Sequence, residues 1–220
     1  MRSGRLSPVI GSFYTLKPSD DICKYLGAAF LGLVKQLVTG ALVHFELNAL
    51  TARTALAKWD LPMAEFDRSF RANASALFLL TRLAAETMKA SGGSIINIGS
   101  YMGVCGLDNA NYTGIGMQTD GIEWPSPAYH YEKGGMLNFT RWAASVLGKY
   151  DIRVNCVTLI GLETLDGNRT VFHHQHAART LLNRCCGNED LKGGIVYLAS
   201  GASGFVTGTN LVIDGGYTAI

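Results

Sequence analysis

The stretch Ser94-Ile95-Ile96-Asn97-Ile98-Gly99 leaves this chain few folds to choose from. It is uncharged, rich in β-branched residues, and bounded by Gly92-Gly93 before it and Ser100 after it. A strand of that kind is apolar on both faces, so both must be covered, as they are for a parallel strand between two layers of helices. The expected class is therefore α/β. Ser100 falls where the strand ends, and open α/β sheets bind ligands at the carboxyl ends of their strands.

Downstream, Tyr129-His130-Tyr131-Glu132-Lys133 heads a helical pattern. Tyr129 and Lys133 are four apart and share a helix face. An ammonium beside a phenol favours the phenolate form. A serine hydroxyl nearby can hold a carbonyl or alcohol oxygen while the phenol moves its proton. Tyr112 and Tyr131 are followed four places on by Gly116 and Gly135, which leaves Tyr129 as the tyrosine of the pair. Gly134-Gly135, directly after Lys133, predicts close backbone packing at that point.

Around this stretch the hydrophobic periodicity predicts further strands at 8–16, 41–46, 152–158 and 210–213, and helices at 21–36, 63–90, 127–149 and 188–200. Residues 51–61 and 101–127 read as loops. Val38-Thr39-Gly40 has the look of a phosphate-loop opening, but Leu42-Val43-His44-Phe45-Glu46-Leu47 follows without a glycine. Backbone N–H groups cannot close on a pyrophosphate there, and Ala41 onward reads as a strand.

Composition removes several function classes. With 220 residues, 48% of them hydrophobic, one globular domain over 1–220 is expected. A net charge of +2 without a basic run gives no footprint for nucleic acid. No segment has the uninterrupted apolar length of a membrane span, and Arg2 and Arg5 are not followed by a signal-peptide core. The five cysteines (23, 105, 156, 185, 186) include no C-x-x-C pair, which suits free thiols in a reducing, cytoplasmic setting. Cys185-Cys186 read as two half-buried thiols. His173, His174 and His176 do not all share one helix face and have no acidic residue close by, so solvated histidines are expected rather than a metal site.

Taken in order, Phe70-Arg71-Ala72-Asn73, Gly93 to Ser100, Tyr129 to Lys133, Arg153-Val154-Asn155 and Thr207 to Gly216 resemble the short-chain dehydrogenase/reductase family. The resemblance covers roughly residues 60–220 and leaves the N-terminal segment atypical. It implies a Rossmann-like three-layer αβα sandwich with a mostly parallel sheet. It also implies NAD or NADP as cofactor and hydride transfer between an alcohol and a carbonyl. The implied roles are proton transfer for Tyr129, ribose binding for Lys133, substrate polarisation for Ser100 and support of a relay water for Asn73. On the cofactor side, Asn48 stands near the family's Asn-Asn-Ala-Gly stretch. Thr164 stands near the threonine that contacts the carboxamide. Leu159-Ile160 replaces a Pro-Gly pair, so Ile160 is expected to narrow the nicotinamide pocket.

Two functions follow. One is an oxidoreductase acting on a small alcohol or carbonyl substrate, possibly sugar- or polyol-like. The other is a non-catalytic member of the same fold with weak or lost cofactor binding, because no G-x-x-x-G-x-G stretch is present. The helices at 63–90 and 127–149 carry apolar residues in excess of one core, among them Leu79, Trp142 and Val146, and predict a homodimer or homotetramer.

Overall fold

The computed structural model describes residues 41–44, 56–57, 61–112, 124–161 and 171–220. The expected strand at 8–16 and helix at 21–36, together with Asn48 and Thr164, lie outside them. In chain order the elements are β1 (Ala41–His44), β2 (Leu56–Ala57), α1 (Met63–Phe70), a π-helical turn (Arg71–Ser75), α2 (Ala76–Met88), β3 (Gly93–Ile98), β4 (Trp124–Pro125), α3 (Pro127–Leu147), β5 (Ile152–Leu159), α4 (Val171–Ala177), α5 (Asn188–Ala199) and β6 (Asn210–Ile213).

Four strands form a parallel sheet in the order β1-β3-β5-β6. Strand β1 lies beside β3, with Ala41–His44 opposite Ser94–Asn97, as a strand following Leu37 is expected to. Alternation along β3 shows why the run is apolar throughout. Ile95 packs with Ala84, Ala143 and Val154, on the side of α2 and α3. Ile96 packs on the other face with Val157, Leu191, Ile195 and Leu198, against α5. Both isoleucines are wholly buried, and the two clusters are the two interfaces of a three-layer sandwich.

The Arg-Val-Asn stretch of β5 is a structural tie. The Arg153 guanidinium donates to the carbonyls of Leu198 (2.9 Å) and Ser200 (3.2 Å) and to Ser203 Oγ (2.8 Å). Asn155 donates to the Val206 carbonyl (2.9 Å) and accepts from the Thr209 N–H (3.1 Å). Together they hold the end of α5 and the approach to β6 against the sheet. At the head of α3, Ser126 Oγ accepts from the Ala128 N–H (3.2 Å) and Pro127 occupies the first turn, so the helix starts where the catalytic tyrosine candidate needs it.

The structure departs from the periodicity in three places. The helix expected at 63–90 is interrupted by the π-helical turn, which carries Asn73. Part of the 51–61 loop forms β2, paired antiparallel with β4 from the far end of the 101–127 loop. Within that second loop, Tyr101–Gly103 and Asn109–Tyr112 form short 3-10 turns. Two-residue strands and single turns carry too few residues for a period to register.

Candidate active site

Strand β3 delivers the chain to Gly99, where a Cβ would stand 2.8 Å from Cys156 Sγ. Ser100 follows in extended backbone, and its Oγ accepts from the Met102 N–H (3.3 Å), opening the 3-10 turn. The turn ends on Gly103, which lies directly on the backbone of α3. A Cβ there would be 2.5 Å from the Lys133 carbonyl oxygen. This contact presses the Ser100 segment onto the helix that carries Tyr129 and Lys133. Close backbone packing expected at Gly134-Gly135 is found at Lys133-Gly134, where Gly103 is the glycine that the contact requires: a Cβ on it would also stand 3.1 Å from the Gly134 nitrogen. A Cβ on Gly134 would come no nearer than 3.8 Å to Gly103, and one on Gly135 would meet nothing within 4 Å.

Lys133 is 3% exposed, and a buried ammonium needs acceptors. Its Nζ donates to the Ile98 carbonyl (2.8 Å) at the end of β3 and sits 5.6 Å from the centre of the Tyr129 ring. The pair therefore meets through the ring face, a cation–π contact, with Tyr129 half-buried. Asn73, 3% exposed, donates from Nδ2 to Glu132 Oε2 (2.7 Å) and to Ser69 Oγ (3.3 Å). It is thereby tied to the helix of Tyr129 and Lys133 across 59 residues of sequence.

Next to these residues stands a polar aromatic cluster that periodicity did not reveal. Tyr101 is hydrogen-bonded to His176 Nε2 (3.1 Å) and to Tyr112. Its ring meets those of His176 and Tyr217 edge-on at 5.6 and 5.0 Å. Asn111 Nδ2 donates to the Tyr217 hydroxyl (2.8 Å), and Asp108 pairs with Arg179. Burial pushes the Tyr101 phenol far above its ordinary range and Tyr112 up to about 12, so both stay neutral hydroxyls. For Asp108 burial pushes upward, but the Ala110 N–H and Arg179 hold its carboxyl below the usual range.

The solvated histidines are corrected here. His173 and His176 are one helical turn apart on α4 and are buried, His176 to 1% exposure, while His174 is exposed. The i, i+3 spacing that argued against a three-ligand site places two of the rings inward. Cys185 and Cys186 are likewise buried rather than half-exposed. Among the described residues no cluster of His, Cys, Asp or Glu is placed to hold a metal.

Ile160 is buried and lines a cavity of about 130 Å³ with Cys185, Cys186, Arg184 and Asp214. An ammonium, a phenol and a serine hydroxyl at the carboxyl end of β3 form a donor set that suits a ribose hydroxyl and a reacting oxygen. Val38-Thr39-Gly40 lies outside the described residues.

The short chain dehydrogenase model matches residues 29–114, and the model for enoyl-(acyl carrier protein) reductase matches residues 115–218. The trans-4-hydroxycyclohexanecarboxylate dehydrogenase of Sinomonas cyclohexanicum is 34% identical over 160 residues, covering 73% of this chain and 54% of that protein. The cis-4-hydroxycyclohexanecarboxylate dehydrogenase of the same organism is 31% identical over 196 residues, covering 85% of this chain and 72% of that protein. A short-chain dehydrogenase from Leptospira borgpetersenii, solved with bound NAD+, superposes with a TM-score of 0.62 at 33% identity, covering 72% of this chain and 58% of that one. The chain thus spans little more than half the length of the first of these relatives. Among the described residues no helix is long and apolar enough to cross a membrane.

Proposed function

The chain belongs to the short-chain dehydrogenase/reductase family, and on that premise we propose that it transfers a hydride between a nicotinamide cofactor and a small secondary alcohol or its ketone. The observation that supports this reading is the contact of Lys133 with the Tyr129 ring and with the Ile98 carbonyl at the end of β3, with Gly103, three residues after Ser100, packed on the Lys133 carbonyl. Ser100 orients the substrate oxygen. Tyr129 takes its proton during oxidation and returns it during reduction. Lys133 keeps a cation against the Tyr129 ring and binds the ribose. A bound nicotinamide supplies the hydride acceptor or donor. The hydroxycyclohexanecarboxylate dehydrogenases named above support a cyclic alcohol as substrate. The test is a spectrophotometric assay with millimolar NAD+ and NADP+ over a panel of cyclic secondary alcohols and polyols. Turnover of any member is the expected result, and none with either cofactor would sink this reading.

A second reading, a non-catalytic member with weak cofactor binding, rests on one feature of the sequence: no G-x-x-x-G-x-G stretch is present. Pyrophosphate binding in this family needs backbone N–H groups from a glycine loop. Each charge-assisted bond lost is worth roughly 1.5–3 kcal/mol. We therefore expect weak or undetectable binding of NAD(H) and NADP(H) by this chain in a calorimetric titration. A dissociation constant at or below the micromolar range would overturn that expectation and leave the dehydrogenase reading unqualified.

For assembly, a homodimer or homotetramer is proposed through the outer face of α2 and α3. A groove of about 240 Å³ runs there between Phe78, Arg82, Phe139, Trp142 and Val146, and Trp142 remains 54% exposed. Contiguous apolar surface of this kind marks an interface. Light scattering at micromolar concentration should give twice or four times the chain mass, and Trp142→Arg should shift it toward the monomer. A wild-type monomer refutes the assignment.

A further inference from the structure

Asn111, in the 3-10 turn Asn109–Tyr112, is wholly buried, and its amide is only partly used. Nδ2 donates to the Tyr217 hydroxyl at 2.8 Å. Oδ1 is shut off from solvent and has no hydrogen-bond partner among the described residues. A buried carbonyl oxygen without a donor is costly, and native folds seldom keep one. The neighbours fix which end of the amide is left over. Burial pushes the Asp108 carboxyl upward, but the Ala110 N–H and Arg179 hold it below the usual range, so it is ionised at neutral pH and only accepts. The Tyr217 hydroxyl, 3.4 Å from Asp108 Oδ2, directs its proton there and leaves its oxygen to accept from an NH₂ group. Turning the Asn111 amide over would set two acceptors against each other at the 2.8 Å contact.

The orphan oxygen belongs to the ligand end of the sheet. Tyr217 follows the carboxyl end of β6. Tyr112, the residue after Asn111, is hydrogen-bonded to Tyr101, which directly follows Ser100. Tyr101 and Tyr112 both lie near enough to Tyr129 for a charge there to disfavour one on their own phenols. We propose that Asn111 is a specificity-determining residue: its Oδ1 accepts a hydrogen bond from a second hydroxyl of the substrate, so a diol or polyol is preferred to a simple secondary alcohol. The role of the reacting hydroxyl rests on the dehydrogenase reading, whereas recognition of the second one is measurable as binding. A site built to bond a hydroxyl rejects the analogue lacking it, because its buried acceptor is then left unpaired. Asn111→Leu removes the acceptor. Tyr217→Phe keeps it but frees the amide from its anchor.

The test compares the isomeric cyclohexanediols with cyclohexanol on wild type, Asn111→Leu and Tyr217→Phe, in millimolar NAD+ or NADP+. Steady-state kinetics and dissociation constants from ligand-observed NMR are measured on the same samples. Wild type should favour at least one diol by about tenfold or more in kcat/KM. That preference should disappear in Asn111→Leu and shrink in Tyr217→Phe. Should Asn111→Leu not fold, Tyr217→Phe decides alone, and a smaller preference there supports the assignment. A wild-type preference below about threefold, the result expected if Oδ1 only holds a buried water, overturns it. So does a full preference kept in Asn111→Leu, or in Tyr217→Phe where the leucine variant is unfolded. If wild type oxidises none of these alcohols, the dehydrogenase reading fails and the dissociation constants decide the recognition. Tighter binding of a diol that is lost in the variants supports it, and equal binding or none overturns it.

Discussion

Replacing Tyr129 by phenylalanine lowers kcat for alcohol oxidation by about 10²–10⁴-fold, the span that a positioned proton-transfer group contributes. The substitution deletes one oxygen and leaves the ring. That ring is half-buried on α3, and Lys133 Nζ lies over its face at 5.6 Å. A phenylalanine ring keeps both the packing and the cation–π contact. Fold and oligomeric state should therefore be unchanged by circular dichroism and light scattering. The loss should appear in kcat at saturating substrate, because Ser100 still orients the substrate oxygen. Millimolar cofactor keeps weak binding from masking the effect. Activity within about tenfold of wild type would remove Tyr129 from the proton-transfer role. Tyr101 and Tyr112 cannot take it over readily, since burial holds both as neutral phenols.

Gly103→Ala should cost both stability and turnover. The new methyl carbon would stand 2.5 Å from the Lys133 carbonyl oxygen, 2.6 Å from its carbon and 3.1 Å from the Gly134 nitrogen. All three are backbone atoms of α3, so no side-chain rotation relieves the overlap. The Ser100 turn and the helix have to separate, and an overpacked site of this kind costs about 1–3 kcal/mol. The movement lies between Ser100 on one side and Tyr129 and Lys133 on the other. A misplacement on the order of 1 Å between reacting groups can cost about 10²-fold in rate. Urea unfolding and kcat should thus fall together. Gly135→Ala is the control: a methyl there meets nothing within 4 Å, and alanine favours a helix interior over glycine by about 0.5–1 kcal/mol. Equal behaviour of the two variants would show that the Gly103 contact does not set the geometry.

How much of this was readable before the structure depends on the range of the interaction. The strand at 94–99 needed only its own composition, because burial on both faces excludes polar residues from a continuous run. The Tyr129/Lys133 pair needed only helical periodicity. Val38-Thr39-Gly40, read as no phosphate loop because glycines are missing after it, lies outside the described residues. Glu132 was not legible. A glutamate beside a lysine at the head of a helix has the pattern of a solvated face, and only Asn73, 59 residues away, makes it a buried partner. The same holds for His176, whose surroundings come from Tyr101 and Tyr217.

The sequence by itself determined the class of fold, the stretches that form the four parallel strands, and the pairing of Tyr129 with Lys133, because each rests on a local period or on the apolar character of one segment. Only the tertiary structure decided which glycine lets Ser100 reach that helix, which face of α4 is buried, and that Asn73 answers to a carboxylate. Those outcomes depend on where separate segments meet. A Cβ overlap, a buried charge or a ring contact exists only between groups brought together by the sheet and its two helix layers, and no spacing along one segment encodes it.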